Sequence, residues 1–198
     1  MSANRTVCVV DDDAGVRDSL EVLLRRSGYR TLLFESARAF LQVGIRADET
    51  CVLADIRMPE MDGLALQREI NRTVPGLPVI IMTGHGDIPM AVQAMKAGAI
   101  EFLEKPFERT VLMEALDRAF EKTSMTVGGK DAAEQRPTRS LTEREREVYE
   151  LLVEGHQNKV IAHKLGISTR TVEVHRGRVM EKMSARNLAD LVKMSLSR

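Results

Sequence analysis

Acidic side chains are concentrated near the start of the chain, where Asp11, Asp12 and Asp13 directly follow the apolar run VCVV. Carboxylates this close together repel one another unless a cation lies among them. Another acid, Asp55, ends a later apolar run, and an all-oxygen ligand set of this kind favours Mg²⁺ over zinc. A carboxylate beside a metal could attack phosphorus and form an acyl phosphate. The residue types therefore indicate phosphoryl transfer with Mg²⁺ as the cofactor.

Lys105 and Thr83 supply the polar groups that such a transfer needs besides the metal. A lysine ammonium neutralises charge on the phosphoryl oxygens, and a hydroxyl donates a hydrogen bond to one of them. Both residues, like the acids, stand at the end of an apolar run. An alternative interpretation makes the three consecutive acids a helix cap. For Asp13 alone we prefer this alternative, so that Asp13 only begins the next helix.

Five short apolar runs must position these residues. Because the runs are apolar throughout rather than alternating, they are typical of a parallel sheet with helices on both faces. The carboxyl ends of such strands meet at one edge, where ligands bind, so the polar residues are expected to converge there. We therefore predict a doubly wound α/β domain over residues 1–121, with strands at residues 6–10, 31–34, 51–55, 78–82 and 101–105.

The chain changes character after residue 121. Residues 122–137 contain Gly-Gly, Pro and charges of both signs, which is typical of a flexible linker. From residue 138 onward only helical spacing remains, and Thr142 and Glu145 stand in capping-box register, so a helix should start near Thr142. Gly166 separates the next two helices, which is the layout of a helix-turn-helix. We predict a small all-α domain over residues 138–198.

Charge divides the chain in the same way. Residues 1–121 hold 14 Lys and Arg against 19 Asp and Glu, and residues 122–198 hold 15 against 10, so the net charge of zero hides −5 and +5. A basic helical domain is a candidate for binding nucleic acid. Without a signal-peptide pattern or an apolar run of membrane-span length, we expect a cytoplasmic protein that does not contact membranes. Cys8 and Cys51 lie in strand-like runs and are expected to be buried and reduced, although a pairing between neighbouring strands is conceivable.

Four motifs in the first domain, VVDDD, VLADIRMPEMDG, IIMTGHG and AGAIEFLEKPF, resemble those of the bacterial two-component response regulators in order and spacing. The resemblance implies a receiver domain in which Asp55 is the phosphoacceptor and a sensor histidine kinase is the donor. It implies that the side chains of Asp12 and Asp55 and the backbone carbonyl of Arg57 bind Mg²⁺, with Asp11 contributing through water.

The same resemblance assigns roles to the other residues of the site. Lys105 corresponds to the charge partner of the phosphoryl group and Thr83 to a hydroxyl that reorients. Phe102 corresponds to an aromatic switch, although a core position is an equally good interpretation of this residue. Pro106 stands where the family has a cis peptide bond.

The segment from Leu141 to Val192 resembles the helix-turn-helix of the LuxR-type regulators, and the whole chain resembles the NarL/FixJ family, in particular its FixJ class. On the third helix of this segment, Val172, Val179 and Met183 should face the core, as judged from an angle of about 100° per residue. The opposite face should contact the bases and phosphates of duplex DNA. The candidate DNA-binding residues are Lys159, Arg170, Glu173, Val174, Arg176, Gly177 and Arg178, unless these charges form only a solvated face.

These observations favour a phosphorylation-switched transcription factor rather than an enzyme. Val92 and Lys96, four residues apart on a predicted helix, have a spacing that suits a contact in a homodimer formed on phosphorylation. Such a dimer would bind promoter DNA, with RNA polymerase as a further partner. Two alternatives are a phosphatase with an aspartyl-phosphate intermediate and a phosphorylation-dependent scaffold that binds protein or RNA. Arg57 stands where such a phosphatase would need a second acid.

Overall fold

A computed structural model describes residues 5–45, 47, 49–84, 88–125 and 141–196. These residues form two compact units, one drawn from residues 1–85 and 97–130 and the other from residues 86–96 and 131–198. Within the described ranges, every helix is too short or too polar to cross a membrane.

The first unit is built on a five-stranded parallel sheet in the order β2-β1-β3-β4-β5. Each strand lies within one residue of the predicted run at both ends, which confirms the expected doubly wound architecture. The central strands are buried along their whole length, as the continuous apolar runs indicate. The strands are β1 (Thr6–Val10), β2 (Arg30–Phe34), β3 (Thr50–Asp55), β4 (Val79–Thr83) and β5 (Glu101–Glu104).

Helices alternate with the strands along the chain: α1 (Ala14–Arg26), α2 (Ala37–Gln42), α3 (Gly63–Thr73), α4 (Ile88–Lys96) and α5 (Arg109–Met125). By its contacts, α4 belongs to the second unit. Asp13 begins α1, since its carboxylate accepts a hydrogen bond from the Val16 N–H at 3.1 Å, and the preferred interpretation of Asp13 is thereby confirmed. The linker was predicted to start at residue 122, but α5 continues to Met125. The remaining linker residues, 126–137, lie outside the described part of the chain.

The register of β1 and β3 places the two cysteines on opposite faces of the sheet. Cys51 pairs with Val7, so Cys51 shares a face with Val7 while Cys8 points the other way. Cys51 therefore lies in the core beneath α1 and α5, together with Leu24 and Leu116. Both thiols are fully buried and free, so the conceivable pairing between them does not form.

The second unit contains four consecutive helices in addition to α4. The predicted capping box is present at the first of them, where the Thr142 side chain accepts from the Glu145 N–H and the Glu145 carboxylate accepts from the Thr142 N–H. Gly166 ends the second helix with φ of 66°, a left-handed conformation that glycine adopts without steric cost. The helices are α6 (Glu143–Val153), α7 (Asn158–Leu165), α8 (Thr169–Lys182) and α9 (Leu188–Leu196).

Candidate functional site

The carboxyl edge of the sheet brings together three of the polar residues singled out in the sequence. Asp11 follows β1, Asp55 ends β3, and Lys105 follows β5. The Nζ of Lys105 donates to Asp11 Oδ2 at 2.7 Å and to Asp55 Oδ1 at 2.5 Å. The two carboxylates are buried, with 1% and 8% exposure, whereas the lysine side chain remains about a quarter exposed. We call Asp11, Asp55 and Lys105 the acidic pocket.

Backbone amides hold the remaining carboxylate oxygens of the acidic pocket. The Arg57 N–H donates to Asp55 Oδ2 at 2.6 Å, and the Asp13 N–H donates to Asp11 Oδ1 at 3.0 Å. Every oxygen of the two buried carboxylates therefore accepts at least one hydrogen bond. This network fixes the orientation of both side chains, so that a reacting atom would meet Asp55 in a defined geometry.

Electrostatics in the acidic pocket favour a further cation. Burial raises the pKa of Asp55 above that of an ordinary aspartate, and the nearby Asp11 adds to this, although the hydrogen bonds from Lys105 and Arg57 oppose it. Burial alone would lower the pKa of Lys105, but its bonds to the two carboxylates outweigh burial and leave the pKa raised. Two carboxylates thus share one ammonium, which leaves an excess of negative charge.

Thr83 and Phe102 occupy neighbouring strands next to the acidic pocket. Thr83 ends β4 and is 1% exposed, and its hydroxyl donates to the Gly84 carbonyl at 3.0 Å. Ile81 pairs with Phe102 in the parallel ladder, so Phe102 and Thr83 lie on the same face of the sheet. Phe102 is partly exposed, whereas the neighbouring Leu103 is buried in the core.

Asp12 is not brought into the acidic pocket by the described geometry. Its side chain is exposed, and so is that of Arg57. Among the residues that the structure describes, no three or more acidic, histidine or cysteine side chains surround a common metal position. The residues named for Mg²⁺ are therefore close in sequence to the pocket, while only Asp11 and Asp55 face Lys105.

The sequence reasoning missed Gly63, which lies directly behind Asp55. Gly63 is the first residue of α3, its N–H donates to the Ile56 carbonyl at 3.0 Å, and a Cβ at this position would collide with the Asp55 carbonyl oxygen. The preceding Asp62 caps α3 by accepting from the Ala65 N–H at 2.7 Å. The only available signal was the Asp-Gly pair, which marks a turn in the sequence. The bond between Lys105 and Pro106 is cis, as the resemblance implied.

The candidate DNA-binding residues are placed on one exposed surface of α8, except Lys159, which is exposed on α7. Val172, Val179 and Met183 are buried as predicted. Val174 is 49% exposed, and a Cβ added to Gly177 would meet open space. The described residues offer no carboxylate within ion-pair distance of the three arginines of this surface. The α8 surface comprises Arg170, Glu173, Val174, Arg176, Gly177 and Arg178, of which Arg176 is partly buried and the others are exposed.

The two residues named for a dimer contact are in different environments. Val92 is 1% exposed in this structure, whereas Lys96 is exposed. They do not form one exposed surface here, and their role in a dimer remains a prediction. The spacing of four residues on α4 correctly placed both on one helix, but helical periodicity cannot show which part of that helix another element covers.

Two families of known proteins match the chain. Residues 7–117 match the response regulator receiver domain, and residues 139–195 match the bacterial regulatory proteins of the luxR family. The chain is 46% identical over 198 residues to the transcriptional regulatory protein FixJ of Azorhizobium caulinodans, a match that covers 99% of this chain and 94% of the relative. It is also 46% identical to FixJ of Rhizobium meliloti, with 97% and 95% of the two chains covered.

Solved structures give the same result. The full-length FixJ from B. japonicum is 42% identical, with a TM-score of 0.60 and coverage of 97% of this chain and 96% of that one. The response regulator StyR is also 42% identical, with a TM-score of 0.58 and coverage of 98% and 99%. The chain therefore belongs to the two-component response regulators that join a receiver domain to a LuxR-type DNA-binding domain, and among these it is similar to FixJ.

Proposed function

We propose that this regulator accepts a phosphoryl group on Asp55 from a sensor histidine kinase and in that form controls transcription. The observation that carries the proposal is the acidic pocket, in which Lys105 links two buried carboxylates at the carboxyl edge of the sheet. A carboxylate oxygen of Asp55 would form the bond to phosphorus as the bond between phosphorus and the histidine of the kinase breaks. Lys105 is placed to neutralise the phosphoryl oxygens once it exchanges a carboxylate for them.

We propose Mg²⁺ as the cofactor of this transfer. The donor set supports it, because all available ligands are oxygens and the two buried carboxylates share only one ammonium. The ligands would be the side chains of Asp12 and Asp55 and the backbone carbonyl of Arg57, with Asp11 acting through water. When bound, the metal supplies positive charge that neutralises the transferred group.

Thr83 and Phe102 are the proposed readout of phosphorylation. The Thr83 hydroxyl now bonds the Gly84 carbonyl, a neutral acceptor that a charged phosphoryl oxygen would outcompete. Phe102 shares the face of Thr83 and is partly exposed, so its ring can change position without leaving a closed core. Phosphorylation adds about two negative charges at this place, and the resulting shift would favour a homodimer, with Val92 and Lys96 as candidate contacts.

The α8 surface is the proposed contact with promoter DNA. Arg170, Arg176 and Arg178, with Lys159 on α7, suit phosphates, while Glu173 and the exposed Val174 suit base edges. Gly177 would allow the helix to lie close to the groove. A dimer would place two such helices about one DNA turn apart, and RNA polymerase is the expected further partner in the cytoplasm.

Asp55→Asn tests the proposal, with Asp13→Asn as the matched control, because the Asp13 side chain caps α1, asparagine is an equally good cap, and the bond to Asp11 comes from the Asp13 backbone, which the change leaves in place. The proteins are treated with acetyl phosphate and Mg²⁺, and intact mass and light scattering are recorded. The wild type and Asp13→Asn should gain the mass of one phosphoryl group and dimerise, and Asp55→Asn should do neither. Gain of phosphate by Asp55→Asn would contradict the assignment of the phosphoacceptor.

The same samples separate this function from the alternatives. A regulator should keep its phosphoryl group long enough for the intact mass to show it. Its phosphorylated form should also bind selected duplex DNA more tightly than the unmodified form. Steady release of phosphate from small phosphomonoesters would instead indicate a phosphatase. Binding to RNA or protein in the absence of salt-sensitive duplex binding would indicate a scaffold.

A further inference from the structure

Arg17 is a cation close to the acidic pocket that has no part in the mechanism above. It is the fourth residue of α1, and its side chain turns back toward the loop that precedes the helix. One of its terminal guanidinium nitrogens, NH1, donates to the main-chain carbonyl of Asp11 at 2.7 Å in a partly buried position. Asp11 is one of the two buried carboxylates that Lys105 links.

The placement of this arginine is locally unfavourable. A positive charge near the beginning of a helix opposes the helix dipole, and the carboxylate of the N-cap residue Asp13 bonds the Val16 N–H rather than Arg17. Among the residues that the structure describes, Arg17 also has no carboxylate at ion-pair distance, although Asp18 and Glu21 are on the same helix. The Arg17 side chain thus bonds a neutral carbonyl and does little to stabilise α1. We take this as a sign that it acts outside the helix.

The bond from Arg17 completes the set of contacts that hold Asp11. The Asp11 N–H donates to the Phe34 carbonyl at 3.1 Å, Oδ1 accepts from the Asp13 N–H, and Oδ2 accepts from Lys105. The main-chain carbonyl is the remaining polar group of the residue, and Arg17 is its hydrogen-bond donor. Arg17 therefore fixes the peptide that leads from Asp11 to Asp12, the two acids named for the metal.

We propose that Arg17 is a positioning residue for Mg²⁺, acting through the backbone of Asp11 and Asp12. This inference rests on the proposed function, because it presupposes that Mg²⁺ binds in the acidic pocket. Groups that orient metal ligands without touching the metal typically change its affinity by about 10- to 100-fold. The charge of Arg17 acts in the opposite direction, because a nearby cation repels Mg²⁺. Loss of positioning should therefore weaken Mg²⁺ binding, whereas loss of the positive charge should strengthen it.

Calorimetric titration of the full chain with Mg²⁺ tests the inference, using Arg17→Gln, Arg17→Lys and, as control, Arg26→Gln. Arg26 is an exposed cation at the other end of the same helix, so its replacement removes the same charge without touching Asp11. Arg17→Gln should bind Mg²⁺ about 10-fold more weakly than the wild type. Arg17→Lys should be intermediate, since an ammonium donates to the carbonyl but lacks the rigid fork, and Arg26→Gln should match the wild type.

The Mg²⁺ dependence of phosphorylation by acetyl phosphate gives a second measurement. In Arg17→Gln the half-saturating Mg²⁺ concentration should rise by the same factor, and the rate at saturating Mg²⁺ should return to within about twofold of the wild type. A general loss of folding would lower the rate at every Mg²⁺ concentration without moving the midpoint. Should Arg17→Gln fail to fold, the titration of Arg17→Lys decides the question.

Mg²⁺ binding by the Arg17 variants that equals or exceeds that of the wild type would overturn the positioning role. A wild type that does not bind Mg²⁺ at all would overturn the proposed function itself. The two failures are thus distinguished by the wild-type titration alone.

Discussion

Lys105 lies between Asp11 and Asp55, with its Nζ 2.7 Å from one carboxylate and 2.5 Å from the other. The three residues come from the ends of β1, β3 and β5. Lys105 is 94 positions from Asp11 and 50 positions from Asp55 in the sequence. One ammonium therefore links the ends of β1 and β3 to the edge strand β5. The same group that would neutralise a phosphoryl oxygen also stabilises the unmodified domain.

Lys105→Met should destabilise the receiver domain. It leaves two buried carboxylates without their shared cation, and removal of one partner from a buried ion pair costs about 3–5 kcal/mol. We expect a loss near the lower end of that range, because the lysine side chain is about a quarter exposed. Urea unfolding in EDTA measures it, and added Mg²⁺ should recover part of the loss. Lys96→Met, at an exposed position, is the control, and an equal effect of both changes would contradict the prediction.

Glu145→Gln should destabilise the C-terminal unit in a pH-dependent manner. The hydrogen bond from Lys182 at 2.6 Å and that from the Thr142 N–H lower the pKa of Glu145 to about 2. Because the pKa is lower in the folded chain than its ordinary value of 4.5, the stabilisation is complete above pH 4.5 and disappears as the pH falls toward 2. The difference in Tm between wild type and variant should be several degrees at pH 7 and shrink below pH 4.5.

Glu147→Gln is the control for this experiment, since Glu147 pairs with Arg144 on the exposed side of the same helix. Its replacement should change Tm only slightly, because an exposed ion pair contributes little to stability. A pH-independent difference between wild type and Glu145→Gln would show that the carboxylate charge is not what stabilises the capping box.

Gln157→Ser should stabilise the helix-turn-helix. Gln157 is the N-cap of α7 but makes no side-chain cap hydrogen bond, whereas serine is among the preferred residues for this position. A good cap contributes about 1 kcal/mol, which thermal unfolding of the full chain should detect. Gln157→Ala should give no such gain, and an equal rise in Tm for both variants would indicate another cause.

Arg178→Gln and Val174→Ala should weaken DNA binding in different ways. Loss of a phosphate contact weakens binding to all sequences and reduces the salt slope by about 1. Loss of an apolar base contact instead reduces the difference in affinity between the preferred DNA site and unrelated duplexes. Fluorescence anisotropy at several salt concentrations separates the two. Arg144→Gln removes an arginine that is already paired with Glu147 on α6. It should leave both the salt slope and the preference for the selected site unchanged.

Cys8 and Cys51 should not react with thiol reagents in the native protein. Both are fully buried, and burial raises the pKa of Cys8 to about 12, so almost no thiolate is present at neutral pH. Labelling followed by intact mass should show no modification before unfolding and two modified thiols after it. Oxidation should give no internal disulfide, because the two side chains lie on opposite faces of the sheet.

The strands and most helix starts could be predicted from the sequence because they are local properties. Continuous apolar runs identified all five strands, and the Thr142 capping box and the Gly166 turn were correct. Local patterns did not show that α5 continues to Met125, because residues 122–125 are compatible with either helix or linker. The burial of Val92 was also missed, since it depends on which elements pack together rather than on helical spacing.

The candidate site was partly predictable for a similar reason. The position of Asp55 and Lys105 at strand ends indicated that they would meet, since parallel strands share one carboxyl edge. The sequence did not show that Lys105 would bond Asp11 as well, or that Asp12 would face solvent, because these depend on side-chain geometry in the folded loop. The hydrogen bond of Arg17 and the close approach of Gly63 both involve backbone atoms of other residues, so a pattern of residue types could not predict them.

Gly63 places the start of α3 against Asp55, the proposed phosphoacceptor. Because the backbone of α3 lies against the Asp55 carbonyl, the space for a side chain at residue 63 is occupied by the backbone of Asp55 and Ile56. Even a methyl group there would have to displace the end of β3, and with it the carboxylate of Asp55. A change of residue type at position 63 should therefore disturb the geometry of the acidic pocket, although the residue lies outside it.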